Sequence, residues 1–275
     1  MPLPTWRQAN VAFTDWSLAE TSALTHLAPL LRTAEDNGDI TGWFHMRKRP
    51  CWRLRYQTAA DSPDALAPVL DALAVQGHIT GWVPVVYEPE VHAFGGPEGM
   101  DVAHRLFHQD SRNLAAHLQE EGNRRREISL LLCSLLLRSA GLDWYEQGDV
   151  WARVSDHRPL PESTDADSSA RHEAAVRRLI SVKTEDMVHA DGRLARFSDW
   201  ASAYTDAGSE LAHLAAAGRL HRGLRDIVAH HVLFAWNRAG LTQDAQAILA
   251  AAATAVIFGP DPTTDRSLED RAHSS

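Results

Sequence analysis

Arginine is the residue type whose spacing is most suggestive of chemistry in this sequence. Arg53 and Arg55 alternate with apolar and aromatic residues in a stretch that is typical of a β-strand, so both share one strand face. Arg47 and Arg49 come shortly before them, and we expect an antiparallel neighbouring strand to add both to that face. Because a guanidinium group matches a carboxylate bidentately, the cluster indicates a ligand that carries carboxylates. The alternative is a solvated sheet face that pairs with the chain's own acids.

A second group of polar residues lies in Tyr87–Gly96, where a predicted strand runs into a glycine-rich turn. Glu88 and Glu90 point the same way on an extended chain. With Tyr87 they could position the arginines or a substrate amine, and the alternative is surface acid at a strand end. The turn has neither GxGxxG nor GxxxxGK[ST] spacing, which argues against a phosphate-binding loop.

Histidine and arginine occur together in the helical stretch Gly223–Gly240. At 3.6 residues per turn, His231 and Arg238 lie on one stripe, and His230 and Asn237 lie on the adjacent stripe. A histidine in apolar surroundings near arginines is suited to proton transfer near neutral pH. A hydrogen-bonded core histidine is the alternative.

A histidine pair, His104 and His108, shares one helical face with Asp101. Such a pair could hold a divalent metal, but the HExxH glutamate is missing and no third ligand is identifiable. The pattern therefore favours ordinary helix residues, and no metal site is predicted.

An internal repeat predicts the scaffold that carries these residues. His26–Trp43 aligns without gaps with Ala65–Trp82, and nine of the eighteen pairs are identical. Each copy predicts a helix that ends at a glycine C′ position and is followed by a strand. A Trp-Arg strand segment precedes each helix, which gives the βαββαβ order of a ferredoxin-like split βαβ unit. The predicted fold class is α+β, with this sheet unit at 1–92 and a mostly helical half at 93–258.

The expected elements follow from the hydrophobic periodicity. Strands are expected near residues 6–13, 42–48, 51–57 and 82–88, and helices near 17–37, 62–76, 99–118, 124–140, 171–190, 198–217, 220–239 and 242–256. A stretch rich in Pro, Asp and Ser predicts a flexible linker at 155–169, and the polar residues 259–275 predict a disordered tail.

Composition excludes several classes of function. The 27 Lys and Arg against 36 Asp and Glu give a net charge of −9, which argues against a nucleic-acid partner. The two cysteines are far apart, so neither a disulfide framework nor a cysteine zinc site is expected. No secretory signal and no apolar run of about 20 residues is visible. We therefore expect a cytoplasmic protein without a membrane partner.

Six short motifs occur in order along the chain. They are WRQANV at 6–11, CWRLR at 51–55, YEPEVHAFGG at 87–96, LFHQDS at 106–111, QGDVW at 147–151 and WNRAGL at 236–241. Together they resemble the thiopeptide-type bacteriocin biosynthesis family. That family belongs to the same superfamily as the C-terminal elimination domain of class I lanthipeptide dehydratases.

The resemblance implies action on a ribosomally made precursor peptide that has a leader segment. Elimination domains remove glutamate from glutamylated Ser or Thr, leaving dehydroalanine or dehydrobutyrine, and a separate dehydratase subunit would attach the glutamate. The resemblance implies that Arg53 and Arg55 bind the carboxylate of the departing glutamate. It also implies a catalytic histidine before Asn237, and His231 and His230 are the nearest candidates. No cofactor is implied. The residues expected to bind substrate are Arg47, Arg49, Tyr87, Glu88, Glu90, Asn237 and Arg238.

Departures from the family pattern keep two other functions open. Pro89 and Ala93 lie in the segment where lanthipeptide members often carry an arginine, and Leu233 and Ala235 stand where related chains carry a histidine. One alternative is a formal aza-cycloaddition of two dehydroalanines that forms a pyridine and expels the leader. The other is a non-catalytic peptide-binding subunit, which could use an exposed strand edge.

Overall fold

The N-terminal part of the chain forms a four-stranded antiparallel sheet. The computed structural model describes residues 5–58, 64–120, 124–160, 166–182 and 195–259. The strands are β1 (Thr5–Ala12), β2 (Gly42–Lys48), β3 (Cys51–Thr58) and β4 (Gly81–Val85). Their order in the sheet is β2-β3-β1-β4, so β3 is inserted between β1 and β2. This order confirms the predicted split βαβ unit.

Helices cover one face of the sheet. Between β1 and β2 the chain forms α1 (Ala19–Ser22), a π-helical turn (Ala23–Leu27) and α2 (Ala28–Asp36), and α3 (Leu66–Val75) joins β3 to β4. Their apolar side chains pack on Leu54 and Tyr56 of β3 in one buried cluster. Gly38 and Gly77 follow the two helices with φ of 78° and 76°, which confirms the predicted glycine ends of the repeat.

Most of the remaining described chain is helical, and these helices build the largest apolar core. It comprises α4 (Pro97–Glu120), α5 (Arg125–Ser139), α6 (Trp144–His157), α7 (Ala166–Ile180), a 3₁₀ turn (Ala195–Phe197), α8 (Ser198–Ala216), α9 (Leu224–Ala239) and α10 (Gln243–Phe258). This arrangement agrees with the predicted α+β class.

Helix α4 joins the two parts of the chain along the outer edge of β2. The Trp43 backbone N–H donates to His108 Nδ1 at 3.1 Å, and the His45 N–H lies 3.3 Å from the Ser111 hydroxyl. His108 Nδ1 also lies 3.0 Å from the Trp43 carbonyl oxygen, and Nε2 lies 3.1 Å from a carboxylate oxygen of Glu35. Side chains of α4 therefore satisfy a strand edge that would otherwise be open.

Three elements differ from the sequence prediction. The sequence pattern does not predict helix α6. The predicted linker 155–169 is helical at both ends, because α6 includes 155–157 and α7 begins at Ala166. The predicted helix near 171–190 ends at Ile180 in the described chain. Strand β4 ends at Val85 and not near residue 88. The residues 161–165, 183–194 and 260–275 lie outside the described chain.

A capping box starts α6. The Asp143 side chain accepts the Glu146 N–H at 2.8 Å, and the Glu146 carboxylate accepts the Asp143 N–H at 3.0 Å. Asp143→Ala removes one half of this exchange, so we expect the free energy of unfolding to fall by about 1 kcal/mol in chemical denaturation. Asp156→Ala, at the exposed end of the same helix, is the control and should change it by less than ~0.5 kcal/mol. Equal losses in the two variants would contradict this role of the cap.

Candidate active site

The hairpin register places the four arginines in different surroundings. Lys48 pairs with Cys51, so each even-numbered residue of β2 lies opposite an odd-numbered residue of β3. Arg47 consequently lies opposite Trp52, on the sheet face that the helices of the βαβ unit cover. The prediction that Arg47 joins the face of Arg53 and Arg55 is therefore wrong. Arg49 lies in the turn outside both strands, so it is not part of that face either.

Arg53 and Arg55 remain together on the opposite face. Arg55 is only 7% exposed, and its Nε donates to Gln8 Oε1 at 2.9 Å. Its guanidinium carbon lies 4.8 Å from the ring centroid of Tyr87 and 5.2 Å from that of Phe44. Burial lowers the pKa of Arg55, and the charge of Arg53 acts in the same direction. No salt bridge joins either arginine to an acid within the described chain, so their charges are not neutralised by direct contact.

Tyr87 and His104 form a hydrogen-bonded pair beside Arg55. The tyrosine hydroxyl lies 2.9 Å from His104 Nε2, and the imidazole stacks on Trp6 with centroids 4.5 Å apart. Burial, together with the charge of Arg55, lowers the pKa of His104 to about 4, and burial raises the pKa of Tyr87 to about 12. Both groups are therefore neutral at pH 7. A cavity of about 230 Å³ opens beside Trp6 and His104.

Glu88 and Glu90 are exposed in the segment after β4 and do not continue the strand. The charge of Glu90 opposes the fall in the pKa of Arg55, so it lies at the border of this group. Glu88 has no hydrogen bond or ion pair with any residue in the described ranges. The structure thus associates Tyr87 and Glu90 with the arginine face, and Glu88 less directly.

His231 lies in the interior behind aromatic side chains. It is 1% exposed, and its ring centroid is 4.9 Å from that of Phe94 and 5.9 Å from that of Phe107. Neither ring nitrogen has a hydrogen-bond partner in the described chain. Burial and the charge of Arg238 lower its pKa to about 3, so the imidazole is neutral. Its catalytic role remains a prediction that this buried position does not favour.

The neighbouring His230 is half-buried. Its ring lies 5.5 Å from that of His157 on α6, and burial together with the charge of Arg222 lowers its pKa. On the same helix, the Asn237 side-chain oxygen accepts from Gln246 Nε2 at 3.1 Å. These contacts direct both residues toward other helices, and the predicted roles of His230 and Asn237 stay predictions.

Arg238 forms a buried ion pair with Asp110. The distance from Arg238 Nε to Asp110 Oδ2 is 2.5 Å, and the arginine is 0% exposed. The other carboxylate oxygen accepts from Trp200 Nε1 and from the Tyr204 hydroxyl, both at 2.8 Å. The guanidinium carbon lies 4.4 Å from the ring centroid of Phe107. Arg238 therefore holds helices together, and this location does not fit the predicted contact with substrate.

Sequence reasoning missed the contribution of three residues to this site. Gln8 on β1 pairs with Arg55 on β3, so the two side chains share one face of the sheet. Trp6 lies two residues before Gln8 and therefore shares this face. The sequence pattern indicates His104 only as one half of a possible metal-binding pair. Within the described residues, no three His, Cys, Asp or Glu side chains form a group that could hold a metal ion.

These features define a class of protein: a ferredoxin-like sheet with an uncompensated arginine face, closed by a helical half. The family model for the lantibiotic biosynthesis dehydratase C-terminal region matches residues 6–257. The chain belongs to this family, and so to the tailoring proteins of ribosomally made peptides.

Solved structures show the same fold at low sequence identity. The tRNA-dependent lantibiotic dehydratase MibB from Microbispora sp. 107891 is 18% identical, with a TM-score of 0.62 over 98% of this chain and 29% of MibB. TsrL is 16% identical, with a TM-score of 0.59 over 94% of this chain and 99% of TsrL. The pyridine synthase TbtD from thiomuracin biosynthesis is 14% identical, with a TM-score of 0.57 over 92% of this chain and 99% of TbtD.

The chain thus spans less than a third of MibB. No match was found among the curated proteins. In the described part of the chain, none of the helices has both the length and the apolar character required to cross a membrane.

Two buried neutral histidines make the fold sensitive to acid. Burial lowers the pKa of His45 and of His231 to about 3, below the ~6.5 of an unfolded chain. Their contribution to stability is therefore complete above pH ~6.5 and is lost as the pH falls from there toward 3, because the unfolded state takes up the protons first. Each histidine should lower the free energy of unfolding by about 2 kcal/mol between pH 7 and pH 5.

His231→Gln removes one of these two histidines, so the number of protons taken up on unfolding should fall by about one. Chemical denaturation at pH 7 and at pH 5 measures this change. The control is His92→Gln, because His92 is exposed in the loop after β4. An unchanged pH dependence in His231→Gln would show that this imidazole is not a buried neutral group.

Proposed function

We propose that this protein eliminates glutamate from glutamylated Ser or Thr residues of a ribosomally made peptide. The observation that carries the proposal is the arginine face: Arg53 and Arg55 are neighbours, Arg55 is buried, and neither has a carboxylate partner in the described chain. Burying an unpaired charge is costly, so such a site favours a ligand that supplies the missing anion. A departing glutamate carboxylate has the required charge and shape.

The elimination needs a base, a stabiliser of developing charge and a place for the leaving group. A base takes the α-proton, the bond between Cβ and the ester oxygen breaks, and the freed electron pair leaves on the glutamate carboxylate. The arginines are proposed to bind that carboxylate and the negative charge that develops before it departs. The products are a dehydroamino acid and free glutamate.

We assign the proton transfer to His104, with Tyr87 as its partner. The neutral imidazole lies on the arginine face and beside a cavity, whereas His231 lies behind Phe94. Arg55 contributes to the low pKa of His104 in the free protein. A bound carboxylate on Arg55 would offset that charge and raise the pKa toward the range in which an imidazole is an effective base.

The test is turnover of a purified glutamylated precursor peptide, followed by mass spectrometry. Arg55→Gln removes the charge that receives the leaving group, so we expect kcat/KM to fall at least ~100-fold. His104→Gln should cause a loss of similar order and remove one ionisation from the pH profile. Arg32→Gln on α2, away from the arginine face, is the control and should leave kcat/KM unchanged. A wild-type protein that leaves the glutamylated peptide intact would exclude the elimination.

A second candidate is pyridine formation from two dehydroalanines. Two observations favour it. The fold matches that of the pyridine synthase TbtD over 99% of the TbtD chain, and positions 233 and 235 hold Leu and Ala where related chains carry a histidine. This function predicts no change of the glutamylated peptide but conversion of an already dehydrated peptide, with release of the leader. Supplying both peptides in parallel separates the two reactions by their mass changes.

A further inference from the structure

A second cationic cluster lies at the β2–β3 hairpin, away from Arg53 and Arg55. Arg47 lies on the sheet face that carries Trp52, with its guanidinium carbon 4.7 Å from that ring centroid. The guanidinium carbon of Arg49 lies 5.5 Å from the ring centroid of Trp16. Together with Lys48 they border a cavity of about 460 Å³, twice the volume of the cavity beside His104. This volume is within the ~300–1,000 Å³ of ordinary ligand pockets.

The cluster keeps an excess of positive charge. Glu20 accepts from Arg125 at 2.8 and 2.9 Å and from Arg47. Although burial acts to raise the pKa of Glu20, these two arginines lower it to about 2, so it stays ionised. One carboxylate thus faces Arg47 and Arg125, while Lys48 and Arg49 form no ion pair within the described chain. In a protein with a net charge of −9, this is a local reversal of sign.

Arg47 also has donors without acceptors. Its Nη1 binds Glu20, but Nε and Nη2 are buried and have no hydrogen-bond partner in the described chain. Leaving a charged donor unsatisfied costs free energy, so the site favours an additional acceptor. The rim opposite Arg47 is polar, since Asn237, Thr242 and Gln243 come from the end of α9 and the start of α10.

We propose that this cleft binds an acidic segment of a polypeptide, separately from the arginine face of Arg53 and Arg55. Guanidinium and ammonium groups would pair with Asp or Glu side chains, and the partly exposed Trp16 would cover apolar parts of the segment. A nucleic acid fits less well, because a phosphate backbone needs an extended basic surface and this chain has a net charge of −9. The identification of this segment as part of the precursor peptide rests on the proposed function; the binding itself does not.

The test is equilibrium binding of a fluorescein-labelled oligo-glutamate peptide to the full chain, followed by anisotropy at low salt. Lys48→Ala/Arg49→Ala removes two exposed cations from the cleft, and we expect Kd to rise ~10-fold. Trp16→Ala should also weaken binding. The control Arg177→Ala/Arg178→Ala removes two adjacent cations from α7 and should leave Kd unchanged. Unfolding curves establish that each variant is folded.

Two further measurements identify the ligand class. Elimination is assayed separately, on the glutamylated peptide, so a protein that eliminates no glutamate can still bind the oligo-glutamate peptide, and the two proposals fail independently. Absence of binding, or equal weakening by the α7 control, would overturn the cleft. Binding of an oligo-glutamine peptide with the same Kd would overturn the charge argument. A single-stranded oligonucleotide that binds more tightly through Lys48 and Arg49 would overturn the peptide assignment.

Discussion

The backbone N–H groups at the outer edge of β2 need hydrogen-bond partners, and the site depends on how the fold supplies them. His108 and Ser111 of α4 supply polar partners for the β2 backbone, so this helix must run alongside the strand. Residues four apart on a helix share a face, and His104 therefore lies one turn before His108, next to Trp6 and Tyr87. An open strand edge is a liability in any sheet. Here its closure also brings an imidazole to the arginine face.

A buried ion pair fixes the same helix from its other side. Asp110 binds Arg238 of α9 and two donors of α8, so the orientation of three helices is coupled through one carboxylate. Removing one partner of such a pair typically costs ~3–5 kcal/mol, because the other charge stays buried and unpaired. The stacking of Arg238 on Phe107 continues this contact toward the sheet, since Phe107 also packs against Phe44. The rigidity of the arginine face thus originates partly in the helical core.

The sequence repeat was sufficient to predict the strand order, because two copies of a helix and strand leave few ways to pair four strands. It was not sufficient to place the arginines. The two-residue turn between Lys48 and Cys51 decides which β2 residues face Arg53 and Arg55, and shifting the pairing by one residue moves every side chain to the other face. Helix α6 could have been predicted from the acidic pair at Asp143 and Glu146. The contact between His104 and Tyr87 is tertiary, and no local pattern indicates it.

The two faces of the sheet use arginine in opposite ways. On the covered face, Glu20 offsets much of the charge of Arg47, and Trp52 stacks on the guanidinium group. On the other face, the contacts of Arg55 within the described chain are a neutral amide and two aromatic rings, and the charge of Glu90 acts on it without forming an ion pair. Cation–π contacts reduce the free-energy cost of burying the Arg55 charge but do not cancel it, since each contributes only ~0.5–2 kcal/mol. An anion that forms during a reaction would therefore be stabilised at Arg55 more strongly than at Arg47, whose Nη1 already binds a carboxylate.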